Sequence, residues 1–515
     1  MSFEVDVVYE ALLTVSAAHR AALLSCQNSN TQEAAKWKVM GLSAYGRTVR
    51  SIAGKGCNMY EAPMTALKEK LIAQMLLAYF EVPSPCEVMS TIKWLKFLLQ
   101  CFMDNPKGVF RHLWASIQVL RIFEERASPA ELEAITPVQE VILRLDHLAQ
   151  KMVPFAQSSF LRGSDRALMQ SPFWNRPALE FSGATPLDPI HTEGNNLIRL
   201  VGGHNKIGRV VWGLWYPTSE RPSRDELMSF YSEMLLWKSA SPATFATCPD
   251  LDDLQPSNIA DFHALPIPPL PLHFTSNEAA LNVVMFNGYM GCALAMISST
   301  DEDPAAQEME IFRLVYQNLR ICAGLLNLGQ GQTLSSYKPC ETLGIGISTF
   351  LYHGARRCFS MEWQKWTTSA LRAVHREGLS NGPALANTLD IMSQVQSTWQ
   401  CNFLAEGSGQ KISPLGSMKD RLVPMLIPQD DDGLLTAFYL RYGTAGEEVD
   451  ESVVRVIAKA TWKQEKSGAM DNLRLYTFSP NAANTPRSPH LLASWRTLVE
   501  PGWHGFLSAA NIQTA

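Results

Sequence analysis

Apolar residues recur at the spacing of an α-helix through the first 160 residues of the chain. Val8, Leu12, Val15, His19 and Ala22 share one face of the first predicted helix, and this is the stripe expected to face a core. Ser128 and Pro129 predict the start of a later helix, with Ser128 as its N-cap. Between these two, the pattern predicts helices at about 31–52, 64–80, 86–101 and 109–126. Short connections favour antiparallel packing of these neighbours.

The pattern changes after residue 160. Proline, glycine, asparagine and aspartate recur, and HALPIPPLPLHF at 263–274 predicts an extended segment. The run RVVWGLWY at 209–216 fits either a strand or a buried helical turn. We therefore expect an irregular Pro/Gly-rich connection over 161–275.

Helical spacing returns at about 278–328 and again at 361–376, where Ser360 is the expected N-cap and Gly378 the stop. Two β-prone runs, 421–427 and 434–442, flank Asp-Asp-Asp-Gly at 430–433 and predict a hairpin. A final helix is predicted at about 451–464. The expected fold is all-α, with a helical part at 1–160, the connection at 161–275, and a second helical part at 276–515 that carries a β-hairpin at about 421–442.

Composition and charge limit the partners. The chain has 515 residues, 46% of them hydrophobic and 18% charged, which is a globular and not a disordered composition. The net charge is -5, and no Lys/Arg run is longer than Arg356-Arg357. Phosphate contacts by basic residues supply most of the affinity for DNA, so direct nucleic-acid binding is not expected. No apolar stretch reaches the ~20 residues of a membrane helix, so no membrane partner is expected.

The ten cysteines are scattered, and the closest pair, Cys86 and Cys101, is 15 positions apart. Metal sites need tighter spacings such as Cys-x-x-Cys, so no metal site and no cofactor is predicted. The first twenty residues contain acids and no long apolar run, which predicts a chain that is not secreted. Its cysteines should then be reduced and should pack as small buried hydrophobes.

Several segments resemble the fungal-specific transcription factor domain, the helical region that follows a Zn₂Cys₆ DNA-binding module. They are VVYEALLTVSAAHRAALL, AAKWKVMGLSAYGRTVRSI, LKEKLIAQMLLAYFEV and GVFRHLWASIQVL within 7–121, ISTFLYHGARRCFSMEWQKWTTSALRAVHREG at 347–378, and PLGSMKDRLVPMLIP at 414–428. The resemblance implies an all-α regulatory region with a nuclear location, or otherwise a cytoplasmic one. It also implies a link to fungal secondary metabolism. The zinc cluster and its basic linker are missing, so the zinc-binding role is carried over to no residue.

The most polar cluster of functional side chains consists of Tyr352, His353, Arg356, Arg357 and Cys358. On a helix, His353 lies one turn from the arginines, and such a group can bind a carboxylate or enolate and transfer a proton. Tyr352, His353 and Arg356 are the candidate catalytic residues, and Arg357 and His19 are the candidate ligand-binding residues. The structural alternatives are a salt-bridged capping site between two helices and, for His19, a core histidine.

Two other kinds of motif are better explained as loops or turns than as binding sites. The glycine strings at 202–208 and 344–346 complete no phosphate-binding fingerprint. The acidic run 430–432 fits a hairpin turn better than a metal site.

Two functions are compatible with these sequence features. One is a regulator or co-regulator without its own DNA-binding domain, which responds to a small hydrophobic metabolite or to another regulator; a homodimer is left open. The alternative is a cofactor-independent cyclase, isomerase or pericyclase on the same scaffold. A lost upstream exon would also explain the missing zinc cluster, and six in-frame cysteine codons before Met1 would show it.

Overall fold

A computed structural model gives the structure of the chain. It describes residues 2–26, 31–53, 62–80, 106–142, 188–204, 222–254, 261–298, 305–326, 346–357, 361–405, 422–428, 434–441, 455–464 and 470–477, apart from a few positions inside these ranges. The described chain is mostly helical, which confirms the all-α class. It divides into two compact units, one formed by Met1–Gln157 with Arg496–Ala515 and the other by Ser158–Trp495.

The first unit contains four described helices of at least four turns. They are α1 (Ser2–Cys26), α2 (Thr31–Ala53), α3 (Met64–Phe80) and α4 (Pro106–Arg126). Helix α1 packs against α2 and α3, and α3 packs against α4. These bounds confirm the helices predicted at 31–52, 64–80 and 109–126, whereas the helix predicted at 86–101 lies outside the described residues. Ser128 caps the next turn as predicted, because its hydroxyl accepts from the Glu131 N–H while the Glu131 carboxylate accepts from the Ser128 N–H.

The buried face of α1 differs from the predicted one. Ala11, Thr14, Ala17 and Ala21 are fully buried, whereas Leu12 is 48% exposed. The prediction that Val8, Leu12 and Val15 form the buried face is therefore wrong, because the face that is buried is offset from them by about one residue. The reason is close packing: a Cβ on Gly41 of α2 would lie 3.3 Å from the Ala17 Cβ. Small residues, and not the largest apolar ones, occupy the contact between these two helices.

The second unit contains eight described helices. They are α5 (Pro189–Gly203), α6 (Arg224–Ser239), α7 (Pro242–Phe245), α8 (Asn277–Ser298), α9 (Ala305–Leu326), α10 (Ile347–Arg357), α11 (Met361–Val374) and α12 (Gly382–Ala405). Three of them, α5 to α7, lie inside 161–275, where the sequence predicts an irregular connection. Local capping explains two of them. Asp188 accepts from the Ile190 N–H at the start of α5, and Ser223 and Glu226 form a capping box at the start of α6.

Residues 264–276, which include most of the proline-rich segment, have no regular secondary structure and lie against α9. The Tyr316 hydroxyl donates to the Pro266 carbonyl at 2.8 Å, and the Arg320 Nε donates to the Leu270 carbonyl at 3.0 Å. A Cβ on Gly324 would lie 1.8 Å from the Leu272 carbonyl oxygen, so this approach requires glycine. The sequence predicts an extended segment at 263–274, whereas the structure has a turn and bends at 264–268 followed by irregular chain.

A four-stranded antiparallel sheet follows the helices, in the order β3 (Leu422–Pro428), β4 (Leu434–Arg441), β5 (Arg455–Gln464) and β6 (Met470–Thr477). The pairing of β3 with β4 confirms the predicted hairpin, whose Asp-rich turn lies outside the described residues. The helix predicted at 451–464 is wrong, because β5 occupies 455–464. Ala460 and Trp462 are fully buried and alternate with exposed Lys463, which is the period of a strand.

Helix α8 is apolar along most of its length. Among the described residues, only Asn277–Ile297 is long and apolar enough to span a membrane, with a mean hydropathy of 1.5. This length differs from the sequence-based expectation that no apolar stretch reaches the ~20 residues of a membrane helix. In the structure, 83% of the stretch is buried inside the protein, which is the environment of a core helix.

Candidate functional site

The candidate site is built around α10, the helix that carries the polar cluster. It packs against α8, α9, α11 and α12. Ile347, Leu351 and Ala355 are at most 1% exposed, so neighbouring helices cover the helix along its length. Phe350 stacks edge-to-face with Tyr289 of α8 at a centroid distance of 5.9 Å. Two strands of two residues, β1 (Arg376–Glu377) and β2 (Ser380–Asn381), form a tight hairpin between α11 and α12.

Tyr352 and His353 are both buried, with exposed fractions of 6% and 7%. Their rings meet edge-to-face at a centroid distance of 5.2 Å. A phenol and an imidazole shielded from water in this way can bind or protonate a ligand, provided that the ligand reaches them. They can equally serve as core residues.

For the other predicted site residues, the structure describes the position of the backbone but not that of the side chain. Arg356 and Arg357 lie in the last turn of α10, so the predicted spacing of one turn from His353 is present. His19 lies in α1, in the other compact unit. The side chains of these three residues lie outside the described part of the structure. Their roles as ligand-binding or catalytic groups therefore stay predictions.

A buried carboxylate occupies the N-terminus of α10. Glu377 is 2% exposed, and its Oε2 accepts from the Ser348 N–H and from the Ser348 hydroxyl, each at 2.7 Å. The first turn of a helix has unpaired N–H groups and the positive end of the helix dipole, so an anion there is stabilised. A Cβ on Gly346 would lie 1.7 Å from the Glu377 Cδ. Only glycine leaves room for this carboxylate.

The thiol of Cys322 on α9 lies near the same carboxylate. Burial, followed by the charge of Glu377, raises the pKa of the Cys322 thiol well above its usual range. The thiol therefore stays protonated at neutral pH and is a poor nucleophile. Cys248 and Cys292 are also buried and form no disulfide, which agrees with the expected packing role for the described cysteines.

One glutamine connects three helices around the site. The Gln364 Nε2 on α11 donates to the Ala355 carbonyl on α10 at 3.4 Å, and its Oε1 accepts from the Ser393 hydroxyl on α12 at 3.0 Å. Gln364 is 6% exposed. Because a buried polar side chain must find its partners, this arrangement favours one relative position of the three helices.

A second buried polar cluster joins α8 to α9. The Asn287 Nδ2 donates to the Gln317 Oε1 at 2.7 Å and to the Asn318 Oδ1 at 3.0 Å. The Gln317 Nε2 donates onward to the Leu251 carbonyl at 2.6 Å. All three side chains are nearly fully buried. Specific hydrogen bonds, as well as apolar contacts, therefore stabilise the core of the second unit.

No group of three or more histidine, cysteine or acidic side chains placed to hold a metal ion occurs in the part of the chain that the structure describes. Comparison with protein-family models, with curated proteins and with solved structures finds no match. The resemblance to the fungal-specific transcription factor domain therefore stays a prediction from the quoted segments.

Sequence reasoning missed Glu377, Gly346 and Gln364. Glu377 follows the predicted helix as a single acid in a polar stretch, and nothing near it in sequence indicates burial. Gly346 belongs to the string at 344–346, whose pattern favours a plain loop over a phosphate loop. A glycine immediately before a helix is a usable signal for a close approach by another group.

Proposed function

We propose that this chain is a transcription-factor-like regulator or co-regulator that lacks its own DNA-binding domain and is linked to fungal secondary-metabolite biosynthesis. It responds to a small hydrophobic metabolite or to another regulator. The resemblance in the quoted segments supports this class, and so does the all-α fold. The net charge of -5 fits a protein that reaches DNA through a partner and not by direct contact.

The burial of Tyr352 and His353 among four helices carries the proposal. With exposed fractions of 6% and 7%, a ligand contacts these rings only after the helices around α10 move. Binding and helix packing are then coupled. A ligand with different affinities for the two packings shifts the population between them. Such coupling is what an effector-sensing domain requires.

The buried hydrogen bonds support the same mechanism. Gln364 ties α10, α11 and α12 together, and Glu377 holds the first turn of α10. Bonds of this kind make a packing discrete, because an intermediate position would leave polar groups unpaired. A regulator that switches needs two distinct packings of its helices and not a continuous range of helix positions.

A second function is favoured by the ring contact between Tyr352 and His353. Two protonatable groups at 5.2 Å in a shielded position are suited to a cofactor-independent cyclase, isomerase or pericyclase. Tyr352 would donate a proton, His353 would transfer one, and Arg356 would stabilise the developing anion. This enzyme is the alternative to the regulator.

Hydrogen exchange on the purified chain tests the proposed coupling. The probe is an organic extract of producing cultures, compared with an extract of non-producing cultures. We expect the producing extract to change amide exchange across α10, α11 and the β1–β2 hairpin together. If neither extract changes exchange in these elements, effector sensing through α10 is refuted.

A further inference from the structure

The four-stranded sheet has one buried face and one charged face. On β5, Ala460 and Trp462 are fully buried, whereas Lys463 is exposed. Asp471 of β6 pairs with Lys463 and is exposed as well. Because side chains alternate along a strand, residues 460 and 462 share the face that the protein covers. Helix α12 contacts the sheet at β3 and β5, and the charge on the other side places it against this buried face.

The indole of Trp462 holds a buried hydrogen-bond donor. Its side chain is fully buried, and no residue in the described part of the chain accepts from its Nε1–H. Buried tryptophans usually find an acceptor, because a buried donor without one costs free energy. Trp237 shows the usual case, since its Nε1–H donates to the Glu193 carbonyl at 2.9 Å. Trp462 therefore has a donor that the described fold does not use.

The strand is irregular where Trp462 lies. The register between β5 and β6 shifts between Thr461 and Lys463, and this places a bulge at Trp462. On the β4 side, its register partner is Leu435. Bulges redirect side chains and are common beside functional sites. The next residue on the buried face, Ala460, has only a methyl group, so it does not screen the indole from a molecule that enters there.

We infer that Trp462 binds a small apolar molecule that carries an oxygen acceptor, and that this molecule enters between the buried face of the sheet and α12. The indole N–H is a donor only, so its partner is an acceptor such as a ketone, ester or ether oxygen. Transfer of a charged carboxylate to this apolar face is unfavourable, which excludes an ionised acid. The inference rests on the proposed function, because it names the chemistry of the hydrophobic metabolite and one residue that binds it.

The burial of Trp462 couples this binding to the helices. The molecule reaches the indole only when the sheet and α12 separate locally. The Gln364 Oε1 accepts from the Ser393 hydroxyl on α12, and its Nε2 donates to the Ala355 carbonyl on α10. A displacement of α12 therefore acts on α10, the helix that carries the candidate rings.

Fluorescence titration of the full chain with two probes tests the hydrogen bond. The first probe is prodan, an apolar fluorescent naphthyl ketone, and the second is its analogue without the propionyl group. We expect the unchanged chain to bind prodan more tightly than the analogue. Trp462→Phe keeps an aromatic ring and removes the N–H. It should weaken prodan binding about fivefold more than it weakens binding of the analogue, because only prodan has the acceptor.

The matched control is Trp237→Phe, which removes an indole N–H that is already bonded to the Glu193 carbonyl. This control should leave the ratio of the two probe affinities unchanged. It should also lower the urea midpoint more than Trp462→Phe does, because it leaves the Glu193 carbonyl without this donor. A second measurement needs no folded variant: in the unchanged chain with isotope-labelled tryptophan, prodan should shift one indole N–H resonance that the analogue does not shift.

The proposal is overturned if the unchanged chain does not bind prodan, or if Trp462→Phe and Trp237→Phe change the ratio of the two affinities equally. It is also overturned if prodan and the analogue shift the same indole resonances. None of these results bears on effector sensing through α10, which the hydrogen-exchange comparison of the two culture extracts tests by itself.

Discussion

Glu377 and Ser348 form the most specific polar contact at the start of α10. A single carboxylate oxygen accepts from both the N–H and the hydroxyl of Ser348, each at 2.7 Å, although the two residues are 29 positions apart. The carboxylate caps a helix that it does not belong to. This contact fixes where α10 begins relative to the β1–β2 hairpin, and so it sets the position of Tyr352 and His353 one turn further along.

We expect Glu377→Gln to lower the free energy of unfolding by about 1.5–3 kcal/mol. The amide oxygen can still accept from Ser348, but the two hydrogen bonds lose their charge assistance and a buried amide N–H₂ group replaces a carboxylate oxygen. Urea denaturation followed by circular dichroism measures the loss. The matched control is Glu226→Gln, which removes the charge from the exposed capping box of α6. The control should cost about 1 kcal/mol or less. Equal losses in the two variants would contradict a special role for the buried carboxylate.

Gly346→Ala should be strongly destabilising, because the new Cβ would lie 1.7 Å from the Glu377 Cδ and must displace the carboxylate. Gly291→Ala in α8 is the matched control, since nothing lies within 4 Å of its added Cβ. Within a helix, that substitution should stabilise the fold by about 0.5–1 kcal/mol. The two variants should therefore shift the urea midpoint in opposite directions. A neutral Gly346→Ala would show that the carboxylate lies elsewhere.

The phenol of Tyr316 should titrate late. Burial raises the pKa of Tyr316 to about 12 from the usual 10.0. The folded protein thus holds this proton more tightly than the unfolded chain does. Its contribution to stability is complete below pH 10 and is lost as the pH rises through 12. Absorbance at the tyrosinate band should show a late-titrating phenol that Tyr316→Phe removes, and an unchanged titration in that variant would contradict the assignment.

The purified chain should pass unretained through DNA-cellulose at ~0.15 M salt. The reason is its net charge of -5 and the lack of any Lys/Arg run longer than Arg356-Arg357. A basic DNA-binding domain run on the same column provides the positive control. Retention of the chain at this salt concentration would refute the proposal that it reaches DNA only through a partner.

Local signals in the sequence predict much of the fold. The bounds of α3 agree with the prediction because the helix stops before Pro83 and Pro85, which exclude the helical conformation. The hairpin of β3 and β4 follows from two β-prone runs around an acidic turn. The helix predicted at about 451–464 is wrong over 455–464. The run Val-Val-Arg-Val-Ile suits a short helix and a strand alike, and only the pairing with β4 and β6 decides between them.

Other features depend on partners far away in the sequence. The side of α1 that is buried depends on Gly41 of α2. The absence of a side chain at Gly41 allows Ala17 to pack closely against it, and Leu12 is left exposed. The burial of Glu377 depends on Ser348, and the link made by Gln364 depends on Ser393. Hydrophobic periodicity contains no information about such pairs. The candidate rings Tyr352 and His353 stand out in the sequence only because the resemblance draws attention to their segment.

Deletion of the gene in its native host, with neighbouring transcripts and small molecules measured in the same cultures, tests the regulator proposal most directly. We predict that neighbouring transcripts fall and that the pathway product disappears without accumulation of an intermediate. Steady transcripts together with an accumulating uncyclised or unrearranged intermediate would contradict this proposal, and would identify the chain as an enzyme on this helical scaffold.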